Sequence, residues 1–216
     1  MRFGAVIFDL WDTLVDWPVE DARRLTQRIA AHTGLDEDAF TRAWQENYRL
    51  RETGPLADAY RALGLPGEHI EGLVSARHEL ARRALVPREG VVETLDELRG
   101  RGLKLGLISV CSEDVPAAWP ETPLAARFDA TTFSSECGVM KPEREIYLRT
   151  ADALGVDPKD TLYVGDGAND ELRGARDVGM TPVLIAVNGR EPWWPEARDW
   201  DGTRIAAIPE VLELVE

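Results

Sequence analysis

The chain has 216 residues, of which 44% are hydrophobic and 30% charged, and this composition predicts a globular protein with a sizeable hydrophobic core. Its formal net charge of −14 argues against a nucleic acid or an anionic membrane as the natural partner, because both bind basic surfaces. The two cysteines, Cys111 and Cys137, are too few for a zinc cluster or a disulfide framework, and no apolar run has membrane-spanning length.

The first predicted element is a buried strand that leads to Asp9. The residues before it are mainly apolar and include Val6, Ile7 and Phe8, which is typical of a strand buried on both faces of a parallel sheet. Asp9 then stands at the carboxyl end of the strand, which is the edge where ligands bind in open α/β sheets. Taken alone, Asp9 could equally be a turn residue or a helix N-cap.

Residues 16–86 follow helical periodicity, and none of them alternates with the period of a strand. Glycines and prolines separate four predicted helices, at residues 18–33, 36–52, 56–63 and about 69–85. We therefore predict a small all-helical domain of residues 16–86, inserted directly behind the Asp9 strand into a core domain of residues 1–15 and 87–216.

Strands and helices alternate after residue 87. Strands are predicted at residues 103–109, 130–133, 161–165 and 182–187, and helices at residues 91–99, 142–154 and 169–178, with an irregular segment at 111–127. This alternation predicts an α/β fold whose core is a Rossmann-like, doubly wound parallel sheet.

The tail, residues 188–216, carries a loop-like segment with Trp193, Trp194 and Trp200. These rings could cover the core, form a dimer contact or line the cleft. Packing on the protein's own surface is the commonest outcome for such residues, so we expect it here.

Polar residues follow the ends of several predicted strands. Carboxylates from two strands are the oxygen ligands that Mg²⁺ prefers. A lysine can neutralise them and hold a phosphoryl oxygen, a serine hydroxyl can bind another, and an aspartate can attack phosphorus. The residues are, in chain order, Asp9, Asp12, Thr13, Ser109, Lys141, Asp166 and Asp170.

Four motifs in this order resemble the haloacid dehalogenase-like hydrolase superfamily. They are FDLWDTL around Asp9, the apolar strand ending in Ser109, the pair Lys141-Pro142, and VGDGAND around Asp166. The resemblance spans residues 3–187. It implies an Mg²⁺-dependent phosphohydrolase that acts on a small phosphorylated metabolite through an aspartyl-phosphate on Asp9, and it implies that the helical insertion is a cap over the active site.

The resemblance also implies a role for each motif residue. Thr13, Ser109 and Lys141 match residues that bind the substrate, and Ser109 and Lys141 also belong to the catalytic set with Asp9. The metal ligands that it implies are Asp9, the main-chain oxygen of Trp11, Asp166 and Asp170.

Two positions depart from the family pattern. Trp11 stands where the phosphatases usually have a second aspartate, which protonates the leaving group, and such general acid–base help is typically worth about 10² to 10⁴-fold in rate. The neighbouring Asp12 is the candidate replacement, although its side chain should point elsewhere. Val110 stands where an asparagine commonly follows the hydroxyl residue of the second motif.

These departures keep two other functions open. The family's 2-haloacid dehalogenases have an aromatic residue at the Trp11 position and need no metal, but their last motif carries a single acid. The pair Asp166 and Asp170 therefore favours the phosphatase, because two such charges repel each other unless a cation lies between them. The third possibility is a catalytically impaired member that binds a ligand.

Two arginines of the helical region, Arg49 and Arg51, could reach into the cleft and hold an anionic group of the substrate. We assign Arg49 to substrate binding, although a solvated helix face is the commoner state for such residues. The absence of a signal-peptide pattern predicts a cytoplasmic protein. We expect a monomer or a homodimer.

Overall fold

The computed structural model describes residues 3–187 and 194–216. Six parallel strands form one sheet in the order β3-β2-β1-β4-β5-β6. This arrangement confirms the predicted α/β fold with a parallel sheet, and it places the Asp9 strand near the middle. The strands are β1 (Ala5–Phe8), β2 (Lys104–Ser109), β3 (Ala130–Phe133), β4 (Thr161–Gly165), β5 (Thr181–Ile185) and β6 (Thr203–Ile205).

Helices cover both faces of the sheet. Side chains of β1 alternate between two hydrophobic clusters: Val6 and Phe8 point into one, and Ala5 and Ile7 into the other, as expected for a strand buried on both faces. The first cluster includes residues of α6 (Val91–Gly100) and α12 (Val211–Leu214), and the second includes residues of α9 (Arg144–Leu154) and α10 (Glu171–Asp177). The short helices α7 (Asp114–Ala118), α8 (Ser134–Cys137) and α11 (Pro195–Arg198) lie between these elements in the chain.

The inserted segment has a hydrophobic core of its own. Its apolar side chains, among them Ile29, Phe40, Tyr60 and Leu73, form a cluster separate from those of the sheet. The division of the chain into a core domain and an inserted helical domain stays a prediction. The segment contains α1 (Val19–Ala30), α2 (Glu37–Glu46), α3 (Tyr48–Thr53), α4 (Leu56–Ala62) and α5 (Gly67–Ala84).

Membrane crossing would need a long apolar helix, and among the described residues the structure contains none that qualifies.

The predicted helix at 36–52 is wrong in its continuity, because the chain breaks at Asn47 into α2 and α3. The Asn47 side-chain amide donates to the carbonyl of Ala43 at 2.9 Å, and this local bond competes with a regular helix. The helix predicted from residue 142 begins instead at Arg144, after the extended Glu143. The strand predicted at 182–187 ends at Ile185, and β6 was not predicted from the sequence.

Two linkers, residues 9–18 and 85–90, join the helical segment to the core. Arg88 in the second linker is bonded to the first. Its guanidinium donates to the carbonyl oxygens of Asp12 and Thr13 in the first linker, the latter at 3.0 Å. It also lies 2.6 Å from the Asp16 carboxylate. The two linkers therefore form a single connected hinge beside the end of β1.

Candidate active site

Three strands bring their polar residues to one edge of the sheet. Phe8 of β1 is opposite Leu107 of β2 and Val164 of β4, so the residues that follow these positions lie side by side. The amide of Asp9 donates to the carbonyl of Val164 at 2.8 Å, which fixes the backbone at the nucleophile candidate. The predicted residues Asp9, Ser109 and Asp166 therefore share this carboxyl edge.

A compact group of three acids lies at this edge. Carboxylate oxygens of Asp9, Asp166 and Glu171 all lie within 4.8 Å of one another. Asp9 is 5% exposed and Glu171 is fully buried. The third member is therefore Glu171, which the sequence interpretation did not single out. The predicted ligand Asp170 is outside the group, and its carboxylate lies 3.3 Å from the guanidinium of Arg173.

Glu171 is held by several donors and by the space beside Gly165. Its carboxylate accepts from the amide of Gly167 at 2.9 Å and from the hydroxyl of Tyr163 at 2.7 Å. A Cβ atom at Gly165 would lie 2.1 Å from the Glu171 carboxylate oxygen, so only glycine leaves room for it. Gly165 at the end of β4 therefore provides the space that the buried Glu171 carboxylate occupies.

Lys141 is the counter-charge of this group. Its ammonium is buried and donates to Asp9 Oδ1 at 2.5 Å, to Glu171, and to the hydroxyl of Tyr163 at 3.3 Å. Burial alone would lower the pKa of Lys141, but Asp9 and Glu171 together raise it above its ordinary value. The lysine therefore stays charged and binds two of the three acids at once.

The three acids still carry more negative charge than Lys141 can balance. Burial, the largest influence, raises the pKa of Asp9 to about 7, while Lys141 lowers it and Glu171 raises it. Burial, Glu171 and Asp9 likewise raise the pKa of Asp166 well above its ordinary value. When all three are ionised, two negative charges remain in excess. A divalent cation with oxygen ligands fits this donor set and its charge.

Two fully buried residues near the carboxyl edge carry a hydroxyl that has no hydrogen-bond partner among the described residues. They are Thr13, in the loop after β1, and Ser109, the last residue of β2. Buried hydroxyls are normally hydrogen-bonded, so an oxygen-rich ligand is the natural partner for this pair. The phosphoryl oxygens of a substrate would supply the missing acceptors.

The Asp12 carboxylate contacts the hinge instead of a reacting group. It accepts from the amide of Trp17 at 3.1 Å and lies 3.5 Å from the Arg88 guanidinium, and its side chain is 50% exposed. The Trp11 ring packs edge-on against Trp17, with ring centroids 4.9 Å apart. These contacts offer no support for Asp12 as the replacement acid, and that role stays a prediction.

The helical segment contacts the core beside this edge. The hydroxyl of Tyr48 on α3 donates to the side chain of Asn169 at 3.1 Å. Asn169 immediately precedes Asp170 in the chain. Arg49, assigned to substrate binding, is exposed and pairs with Glu143 at 2.7 Å. Arg51 is the buried arginine of α3 instead, with its guanidinium 3.9 Å from the Trp44 ring centroid.

A buried ionic contact also joins the helical segment to the core. Arg77 on α5 lies 3.0 Å from the Asp114 carboxylate of α7, and Asp114 is 2% exposed. The same guanidinium donates to the hydroxyl of Ser112 at 3.3 Å. Cys111, next in the chain to Ser112, is a buried free thiol.

Replacing each of the neighbouring acids Asp170 and Glu171 by its amide tests which of them belongs to the group of three acids. We expect Glu171→Gln to lower Mg²⁺ affinity about 10-fold or more, because it removes a charge from the group, whereas Asp170→Asn should change it less than threefold. Titration calorimetry with Mg²⁺ measures both. A larger effect of Asp170→Asn than of Glu171→Gln would restore the original assignment.

Comparisons with known proteins identify the family of the chain. A family model of haloacid dehalogenase-like hydrolases matches residues 3–179. The chain is 32% identical over 198 residues to a glyceraldehyde 3-phosphate phosphatase of Methanopyrus kandleri, covering 84% of this chain and 83% of the relative. It is 30% identical over 196 residues to an (S)-2-haloacid dehalogenase of Pseudomonas sp., covering 90% of this chain and 68% of that protein.

The solved structures show the same fold. A HAD phosphatase from Thermococcus onnurineus is similar over 99% of this chain and 98% of its own, with a TM-score of 0.74 at 24% identity. A 2-haloacid dehalogenase from Pseudomonas syringae is similar over 99% and 98%, with a TM-score of 0.71 at 21% identity. With the family match extending over residues 3–179, the chain belongs to the haloacid dehalogenase-like hydrolases.

Proposed function

We propose that this protein is an Mg²⁺-dependent phosphatase of a small phosphorylated metabolite and that Asp9 is its nucleophile. The observation that carries the proposal is the buried group of Asp9, Asp166 and Glu171, in which Lys141 balances only part of the charge. Three acids around one lysine suit a site for a divalent cation and a phosphoryl group better than a metal-free site.

In the first step the phosphoryl group is transferred to Asp9, and each site residue has a separate role. One oxygen of Asp9 accepts from Lys141, and the other attacks phosphorus while the bond to the leaving oxygen breaks, which gives an aspartyl-phosphate. Thr13 and Ser109 donate their free hydroxyl protons to phosphoryl oxygens, and Lys141 offsets the charge that develops on them. Bound Mg²⁺ would be held by Asp9, Asp166 and Glu171, and it supplies further neutralisation of phosphoryl charge.

Hydrolysis of the aspartyl-phosphate by water completes the reaction and frees Asp9. The leaving oxygen must also gain a proton, and Trp11 has no acid to supply it. We keep Asp12 as the candidate donor only on its position in the sequence, since its carboxylate contacts Trp17 and Arg88. Substrates whose leaving group is already acidic should therefore react fastest.

We further propose that residues 16–86 act as a cap and that residues 1–15 and 87–216 form the catalytic core. The contact of Tyr48 with Asn169 joins the two units beside the acidic group, and that of Arg77 with Asp114 joins them at a second place. A unit with its own hydrophobic cluster can move as a body and can exclude water from the site when it closes.

The substrate class rests on the relatives. The names of the phosphatases from Methanopyrus kandleri and Methanocaldococcus jannaschii specify glyceraldehyde 3-phosphate, a small phosphorylated metabolite. A competing function is the dehalogenation of a 2-haloacid, which is favoured by the aromatic Trp11 in the Asp9 loop and by the relative from Pseudomonas sp..

One experiment separates the two functions. Phosphate release is measured from an aryl phosphate and from a panel of small phosphorylated metabolites, with Mg²⁺ or with a chelator, and halide release is measured from (S)-2-chloropropionate. We expect phosphate release that requires Mg²⁺ and no halide release. Halide release that persists in chelator, without phosphatase activity, would replace the phosphatase by a dehalogenase.

Mg²⁺ binding should depend on pH because burial raises the pKa of Asp9, so that Asp9 in the cation-free protein is protonated below about pH 7. Burial raises the pKa of Asp9 from 3.8 to about 7, so its contribution to the free energy of unfolding is present below pH 3.8 and is lost as the pH rises through about 7. Mg²⁺ binds the ionised form, and we expect it to raise Tm more at about pH 8 than at about pH 6. Scanning calorimetry with Mg²⁺ and with chelator measures the difference. Equal shifts at both pH values would contradict the assignment of Asp9 as a cation ligand.

A further inference from the structure

A tryptophan of the C-terminal tail contacts the acidic group directly. The indole N–H of Trp194 donates to Asp166 Oδ2 at 2.8 Å, across 28 positions of sequence. The other oxygen, Oδ1, accepts from the amide of Ala168 at 3.0 Å. Each carboxylate oxygen therefore has one fixed donor. Since a carboxylate oxygen has two lone pairs, each keeps one for a cation.

Packing holds the tail segment in this position. Ala197, one turn after Trp194, is buried, and its amide donates to the Trp194 carbonyl at 3.1 Å. A Cβ atom at Gly167, the residue after Asp166, would lie 2.4 Å from the Ala197 Cβ. The tail and the Asp166 loop therefore meet at a distance that only glycine permits, and the indole is placed by this contact as well as by its hydrogen bond.

A second anchor lies further along the same segment. The Trp200 ring is 4.2 Å from the Arg176 guanidinium, and the same arginine pairs with Asp201 at 3.0 Å. The indole N–H of Trp200 donates to the Thr203 carbonyl at 3.2 Å and does not reach the acidic group. Trp200 thus contributes to docking of the tail in the way Trp194 does, but without a bond to an acid.

The indole is a suitable donor for a carboxylate that must also bind a cation. Asp9 and Glu171 repel the Asp166 carboxylate, and the Ala168 amide holds only one of its two oxygens, so the indole fixes the second. A lysine or arginine at this place would hold it too, but its positive charge would compete with the cation. The neutral indole N–H fixes the orientation and leaves the negative charge available.

We propose that Trp194 is a positioning residue of the cation site, which holds the Asp166 carboxylate in the orientation that Mg²⁺ requires. The inference rests on the proposed function, since it assumes that the acidic group binds Mg²⁺. It also assigns a task to Trp194 of the tail, whereas Trp193 lies outside the described residues.

The test compares Trp194→Phe with the matched control Trp200→Phe. Both variants keep an aromatic ring on the same segment, and only the first loses a donor to Asp166. Titration calorimetry measures the Mg²⁺ Kd, and the change in tryptophan fluorescence on adding Mg²⁺ gives a second readout. We expect Trp194→Phe to raise Kd about 10-fold or more and to reduce the fluorescence change, with Trp200→Phe within about twofold of the wild type. At saturating Mg²⁺ the kcat of Trp194→Phe should recover.

Three results would overturn the inference. A Kd of Trp194→Phe within about twofold of the wild-type value would show that the indole does not orient a ligand, and it would leave the proposed function intact. An equal loss in both variants would assign the effect to docking of the tail. A wild-type protein that binds no Mg²⁺ would remove this inference together with the cation site of the proposed function.

Discussion

The Asp9→Asn variant is expected to lose turnover by about 10⁴-fold or more, which is the scale on which enzymes respond to loss of a covalent nucleophile. An amide in place of the carboxylate cannot attack phosphorus, yet it keeps the size of the side chain. Phosphate release under single-turnover conditions measures the effect. The variant should stay folded, because Lys141 retains its contact with Glu171.

The matched control for this prediction is Asp12→Asn. Asp12 has a positive φ of 55°, which asparagine adopts as readily as aspartate, so the backbone should not change. Because its carboxylate contacts Trp17 and Arg88, we expect less than a 10-fold loss of kcat. A loss of about 100-fold with unchanged stability would instead assign the missing acid–base role to Asp12.

Replacing Lys141 by methionine is expected to lower the free energy of unfolding by about 3–5 kcal/mol at neutral pH, as is found when one partner of a buried ion pair is removed. Methionine fills the space of the lysine stem, but Asp9 and Glu171 are then left buried without their counter-charge. Urea denaturation in chelator measures the change. The loss should shrink at acid pH, where protonation removes the repulsion.

Lys159→Met is the control for this substitution, because Lys159 forms an exposed pair with Asp157 at 3.1 Å. Its unfolding curve should superimpose on that of the wild type, as expected for a solvent-exposed ion pair. If Lys141→Met unfolded at the wild-type urea concentration, the charge balance described for the acidic group would be incorrect.

The strands and the main site residues could be predicted from local patterns in the sequence. The apolar run before Asp9 and the run ending in Ser109 each fix a buried strand, and both strands occur in the structure. Because the strands are parallel, their carboxyl ends meet, and this geometry brings Asp9 and Asp166 together. The apolar runs predict the strands, and the shared carboxyl edge of parallel strands predicts which site residues lie together.

The third acid, Glu171, could not be predicted from local sequence patterns in the same way. Asn169 and Asp170 both have φ of 54°, so the regular helix begins only at Glu171. Two successive left-handed residues change which side chain points inward. The usable signals were that asparagine and aspartate tolerate this conformation, and that the small inward residues Gly174 and Ala175 lie one turn after Glu171.

The sequence also did not predict which arginine of α3 is buried and which is exposed. With helix 36–52 taken as continuous, Arg49 and Arg51 could both be placed at the cleft. The break at Asn47 resets the helix, and residues two positions apart point to different sides. Arg51 is buried against Trp44 inside the helical segment, while Arg49 stays exposed and pairs with Glu143 of the core. Contacts of this kind depend on how two units dock, which no local pattern records.

The bonds of Arg88 have a kinetic consequence. Its guanidinium holds the carbonyl oxygens of Asp12 and Thr13, and Thr13 supplies one of the two hydroxyls proposed to bind the phosphoryl group. In the cap motion that we propose, rotation of the helical segment about the linkers would move Arg88 and, through its bonds, the loop that carries Thr13. Opening of the proposed cap and loosening of bound phosphate would then be one motion, so we expect product release to have the same rate constant as cap opening.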